Sequence, residues 1–270
     1  MISRIWGAEM RNQTSASSGK GRARAAISTA IAIERIEKMT QGVIQDVQRA
    51  LALQAALEVG NDTIRELRGD GPALSFYGAY AYEEIRFGLI ASLALTLAKL
   101  FDPVTLFLPP AMKKRRSVNK SDIISIPLLV RLLKQRRCQT ILGKHARGWT
   151  PTLEDMEALN EQSAIAAANA AVAAYKDFRR TQDGRSAARI LKMFRNNELA
   201  HRLLDKPARP PRYSDLYLLL DVAATVAAKA SLAVMGDHWD VEDTREARAM
   251  HSKAFWDPAL TGVIEAERRQ

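Results

Sequence analysis

Four histidines, one cysteine and thirty carboxylates are the groups in this 270-residue sequence that could carry acid–base, nucleophilic or metal chemistry. The histidines, His145, His201, His238 and His251, lie far apart and form no H-E-x-x-H pair for zinc. Cys138 stands alone, which excludes an internal disulfide and a cysteine-based zinc site, and it is read as filler in a basic helix. No G-x-x-x-x-G-K-[ST] loop cradles a phosphate, and no G-x-S-x-G turn presents a nucleophile. The carboxylates are scattered, with no two set up as an acid/base pair. What remains is the stretch from Phe194 to Arg202, where Arg195, the polar Asn196 and His201 fall close together. Imidazole titrates near neutral pH and suits proton transfer, whereas a guanidinium stays charged and bonds two oxygens of an anion at once. Arg245 and His251 share the spacing, but Glu246 follows the arginine and no apolar helix follows the histidine, so that pair is set aside.

The elements that must position these residues are helices. Hydrophobic residues make up 47% of the chain and charged residues 26%, which excludes a disordered chain, while aromatics reach only 6%. Few aromatic and turn residues argue against a sandwich or barrel. Ile36, Val43, Ala50, Leu57 and Ile64 recur every seven residues, with Met39, Val47 and Leu53 near the same stripe. That first helix is expected to end at Gly60 or at Gly69–Gly71. A second helix should run from Phe76 to Phe101 and stop at Asp102–Pro103, because the residue before proline avoids helical angles. Residues 102–124 then read as a long connection carrying Pro109–Pro110. A third helix starts near Ser125 and Pro127, and a fourth runs from Thr150–Pro151 to Thr181. Asp183–Gly184 should break it, leaving a fifth from Ser186 to Leu203 and a sixth from Ser214 to Met235. The expected fold is all-α, an antiparallel bundle of five or six helices. Residues 1–29 read as a flexible basic tail, 30–235 as the bundle and 236–270 as an acidic extension.

Charge is segregated along the chain. The net +10 contrasts with a local +10 over Ala111–Arg147 (eleven Lys or Arg against one Asp) and +7 over Lys176–Arg212 (eleven against four acids). Asp237–Gln270 carries −3, from five bases against eight acids. Such patterning suits an anionic partner. The window Leu216–Met235 is the most membrane-like, but Asp221 and Lys229 inside it would each cost roughly 2.5–3.5 kcal/mol in a bilayer. Met1–Gln13 lacks the apolar run of a signal peptide. The expectation is a cytoplasmic protein with no membrane contact, no cofactor and no bound metal.

The text "FRNNELAHR" (Phe194–Arg202) resembles the HEPN superfamily, the nucleotide-binding domain of higher eukaryotes and prokaryotes. Its motif is an arginine, a polar residue, three to five others and a histidine near the end of a helical bundle. The wording is similar to that of the abortive-infection AbiU-like branch. So are "LAKLFDP" (Leu97–Pro103) and "SIPLLVRLL" (Ser125–Leu133), and the likeness covers roughly residues 30–235. It implies a metal-independent endoribonuclease of a toxin–antitoxin or phage-defence system. A ribose 2′-OH would attack its own 3′-phosphate, with Arg195 on the phosphate, His201 moving the proton and Asn196 orienting one of them. DNA lacks that hydroxyl, so the chemistry itself selects RNA.

In the superfamily the motifs of two protomers meet at a shared cleft, which implies a homodimer. It would also relieve the separation of Arg195 and His201, about 120° apart on an ideal helix. Lys113, Lys114, Arg115, Arg116, Arg189, Lys192 and Arg202 are the expected RNA contacts, and an antitoxin or other defence protein is a possible partner. Leu203 stands where some relatives carry a tyrosine that antitoxins adenylylate. The alternative is a non-catalytic helical module that binds RNA or a partner protein.

Overall fold

The computed structural model describes residues 27–68, 79–102, 123–150, 154–196 and 211–268. Among them are eight α-helices and no strand: α1 (Thr29–Arg68), α2 (Ala79–Leu100), α3 (Ile126–Leu133), α4 (Arg136–Ala146), α5 (Glu157–Arg180), α6 (Gln182–Phe194), α7 (Tyr213–Met235) and α8 (Val241–Arg268). The fold is all-α, as expected. Two helices exceed the expected five or six. The stretch after Ser125 is split at Gln135, whose extended backbone (φ −75°, ψ 120°) separates α3 from α4. The acidic residues after Asp240 form α8, which packs along α1.

The centre of the bundle is α7. Leu216, Leu219, Leu220, Ala223, Ala227 and Ala230 are buried against α1, α5 and α6. The facing surface of α5 is Ala164, Ala167, Ala168 and Ala171, all buried. Small residues on both helices let the backbones approach closely, which is why an alanine-rich sequence supplies a core here. The heptad stripe of α1 is buried as read from its spacing, from Ile36 through Val43 and Ala50 to Leu57 and Ile64. By length and composition α7 could cross a membrane, but half of that apolar window is buried inside the bundle. Its Asp221 is ion-paired to Arg245 of α8.

Helix α1 is described as far as Arg68, in agreement with the stop offered at Gly69–Gly71, and the other offered stop, Gly60, does something else. Helix α1 runs straight through Gly60. There the indole of Trp256 on α8 lies so close that a Cβ at residue 60 would sit 3.0 Å from its ring. The indole N–H donates to the Ala56 carbonyl at 2.9 Å, and Tyr82 meets the ring edge-on. Glycine admits the partner helix here rather than ending its own. Further along, the break falls at Thr181, not at Asp183–Gly184. Thr181 closes α5 and caps α6, its hydroxyl accepting the Gly184 N–H at 3.0 Å. A Cβ on Gly184 would lie 2.2 Å from the Phe178 carbonyl oxygen, so this tight corner requires glycine.

Candidate functional site

The tight corner at Thr181 folds α6 back beside the C-terminal ends of α5 and α2, and a cleft of about 480 Å³ lies between the three helices. Its walls carry Arg179 from α5 together with Arg185, Arg189, Lys192 and Arg195 from α6 and the turn after it. One carboxylate, Asp102, faces them from the end of α2. Phe101, Tyr175 and Leu191 supply apolar surface. Arg179, Arg185, Arg189 and Lys192 have no carboxylate within ion-pair distance among the described residues. Like charges gathered in a concavity, faced by one largely buried carboxylate, focus a positive field.

Arg195 is held at the inner end of this array. At Arg195–Asn196 the α-helical geometry of α6 passes into a wider, π-type turn, a local geometry frequent at functional sites. The Asn196 side-chain oxygen accepts from Arg195 Nε at 3.2 Å and from Nη2 at 3.0 Å. On the other edge of the guanidinium, Arg195 Nη1 reaches Asp102 Oδ2 at 3.5 Å. Both partners are largely buried, at 18% and 16% side-chain exposure. Burial pushes the Asp102 carboxyl above its ordinary value, and the opposing pull of Arg195 and Lys192 does not cancel it. The length of the contact accounts for this: a bond at 3.5 Å repays little of the cost of desolvating a carboxylate. Asp102 Oδ1 is buried too and accepts no hydrogen bond among the described residues.

Of the expected site residues, Arg189, Lys192, Arg195 and Asn196 are therefore brought to one cleft or its rim. His201 and Arg202 lie outside the described residues, as do Lys113, Lys114, Arg115 and Arg116. Helix α6 was expected from Ser186 to Leu203 and is described from Gln182 to Phe194. Asp102, Tyr175, Arg179 and Arg185 were missed. The clue for Arg185 was its register with Arg189 and Lys192, four and seven residues on. Asp102 was read only as a helix stop.

Several residues outside the cleft take on structural parts. Arg245 donates to Gln54 of α1 at 2.9 Å and to Asp221 of α7 at 2.5 Å, so it ties α8 to the bundle. Cys138 is fully buried, and burial pushes its thiol up, which leaves it a packing residue. Trp149 packs over Gly236 and Trp239 against the main core. A second cleft, about 640 Å³, lies among α1, α2 and α7, where both arginines are ion-paired, Arg65 with Asp62 at 2.7 Å and Arg86 with Glu83, and Glu58 accepts from Gln54 at 3.1 Å. Among the described residues, no group of three or more His, Cys, Asp or Glu could hold a metal ion.

A family model described as AbiU2, of HEPN type, matches residues 38–255. That span contains both walls of the basic cleft and most of α8. No curated protein and no solved structure matches the chain.

Proposed function

The chain belongs to the AbiU2 family of HEPN domains, and from that membership we propose that it is a metal-independent endoribonuclease acting in abortive infection, as a phage-defence or toxin–antitoxin component. The observation that carries this reading is the cationic cleft ending at a largely buried arginine whose guanidinium is oriented by Asn196 and Asp102. In the proposed reaction the ribose 2′-oxygen bonds to the adjacent phosphorus and the bond to the 5′-oxygen of the next nucleotide breaks. Arg195 neutralises the doubly charged transition state, where a planar, permanently charged fork is worth most. His201 moves the proton. One imidazole serves as base or as acid but not as both together, so two protomers are proposed to contribute one each, in a closed homodimer. Arg202 and the Lys113–Arg116 cluster would add phosphate contacts, and an antitoxin would be a further partner. The proposed setting is the cytoplasm.

The second reading, a non-catalytic module that binds RNA or a protein, draws on the same Arg195–Asp102 pair. A largely buried ion pair joining two helices also serves structure. The two readings separate on one substrate pair. RNA should be cut, and the same sequence methylated at every 2′-oxygen should be bound without cutting. Equal cleavage of both strands would remove the proposed nucleophile, and binding of both without cleavage would leave the module.

A further inference from the structure

The cleft among α1, α2 and α7 is opposite in sign to the one at Arg195. Three carboxylates line it, Glu58, Asp62 and Glu83, against two arginines, Arg65 and Arg86. Asp62 and Glu83 each hold one of those arginines, which leaves Glu58 as the surplus charge, a local −1 in a chain of net +10. Among the described residues no cation lies within ion-pair distance of Glu58. Both groups that bond it are neutral: the Gln54 amide donates at 3.1 Å, and the Tyr217 hydroxyl donates from α7. Burial, and next the negative charge of Glu58, push the Tyr217 phenol well above its ordinary value, so it remains a neutral donor. Arg245 fixes Gln54 from behind, but its own charge is taken by Asp221 and Glu242.

The remaining walls are aromatic and apolar. Tyr213 and Tyr217, one turn apart on α7, stack with ring centroids 6.0 Å apart at 28°. Ile64 of α1 is buried beside them. The face of an aromatic ring is negative, so rings and carboxylate attract the same kind of ligand. The geometry points to a binding site for a guanidinium on an apolar stem, as an arginine side chain carries it: the plane on the Tyr213–Tyr217 pair, its N–H groups on Glu58, the stem along Ile64. An ammonium would answer the carboxylate but has no plane to lay on a ring. An anion finds both arginines taken, and Arg86 Nη1 also donates to the Tyr213 hydroxyl at 3.4 Å. No residue of this site lines the cleft at Arg195, so the inference stands apart from the ribonuclease reading.

The probe is arginine blocked at both ends, as N-acetyl-arginine methylamide, titrated into the full chain with ring-labelled tyrosine. The chain has six tyrosines, and their NMR resonances are assigned by single replacements with phenylalanine. Tyr213 and Tyr217 should shift and saturate, while Tyr175, in the other cleft, should stay still. The citrulline analogue has the same shape without the charge. It should bind about tenfold more weakly, the scale of losing a hydrogen bond between charged groups. Glu58→Gln, at an exposed position, should cost the arginine probe a similar factor and leave the citrulline probe nearly unchanged. The lysine analogue should bind more weakly than the arginine one.

Equal binding of the arginine and citrulline probes would overturn the inference. So would an affinity unchanged in Glu58→Gln, a lysine analogue bound more tightly than arginine, or no saturable shift at Tyr213 and Tyr217. Two further probes identify the source of the cation, and either result upholds the site. Methylguanidine bound as well as blocked arginine assigns the cleft to a free small cation. Tighter binding when the arginine sits inside a short peptide assigns it to a side chain of another protein.

Discussion

Replacing His201 or Arg195 with alanine should lower RNA cleavage by about 10²–10⁴-fold for the histidine and about 10²–10³-fold for the arginine, with helix content unchanged. The two effects arise differently. Without His201 no side chain of the motif moves a proton near neutral pH. Without Arg195 the cleft keeps its other cations, but the charge developing on the phosphorus oxygens loses its fork. Arg195→Lys should therefore recover little activity, because a lysine supplies a point charge and cannot span Asn196, Asp102 and a phosphate together. Mixing extends the result to assembly. If the working centre is shared across a homodimer, an excess of His201→Ala protein should suppress the unaltered protein it pairs with. Activity strictly proportional to the unaltered fraction would contradict a shared centre. Full activity in His201→Ala would remove the motif from the chemistry altogether. Arg245→Ala is no neutral control here, because that arginine bridges α8 to α1 and α7.

The second large effect concerns the fold. Trp256→Ala should destabilise the protein by about 3–5 kcal/mol, the range for losing a buried aromatic from a packed core. For a chain of this size that corresponds to a melting temperature lowered on the order of 10 °C. Trp256 is 5% exposed and fills the space that Gly60 leaves open on α1. The alanine would empty that space, remove the hydrogen bond to Ala56 and strip Tyr82 of its ring partner. Thermal unfolding followed by circular dichroism reads the change. A loss below about 1 kcal/mol would mean that the site collapses around the smaller side chain, and that α8 is anchored mainly by Arg245.

How much of this was legible in the sequence differs by element. The stripe on α1 and the apolar run of α7 were read correctly, because helical periodicity is local and each residue votes independently. The Asp102–Pro103 stop was also local, and α2 does end there. The role of Asp102 was not legible, since its partner Arg195 lies 93 residues away and neither position announces the other. Gly60, one of the two stops offered for α1, and Gly184 are ambiguous for one reason. A glycine that frees the backbone and a glycine that makes room for a neighbour are written with the same letter. At Gly60 the neighbour is Trp256, and at Gly184 it is the carbonyl of Phe178. The split at Gln135 carries neither proline nor glycine, so the chain shows no stop signal there. Helix α8 was hidden by its charge. Its acidic residues suggested a solvated extension, while Trp256 and Leu260 bury it against the bundle.

The chemistry of the cleft shows most directly in the ends it leaves on RNA. Purified protein is incubated with an unstructured RNA in excess chelator, and the products are analysed by mass. Attack by the 2′-oxygen leaves a 2′,3′-cyclic phosphate on one fragment and a 5′-hydroxyl on the other, with no divalent ion required. Those ends, formed in chelator and lost in His201→Ala, are the expected result. Fragments ending in 3′-hydroxyl and 5′-phosphate, formed only when a divalent ion is restored, would contradict the account.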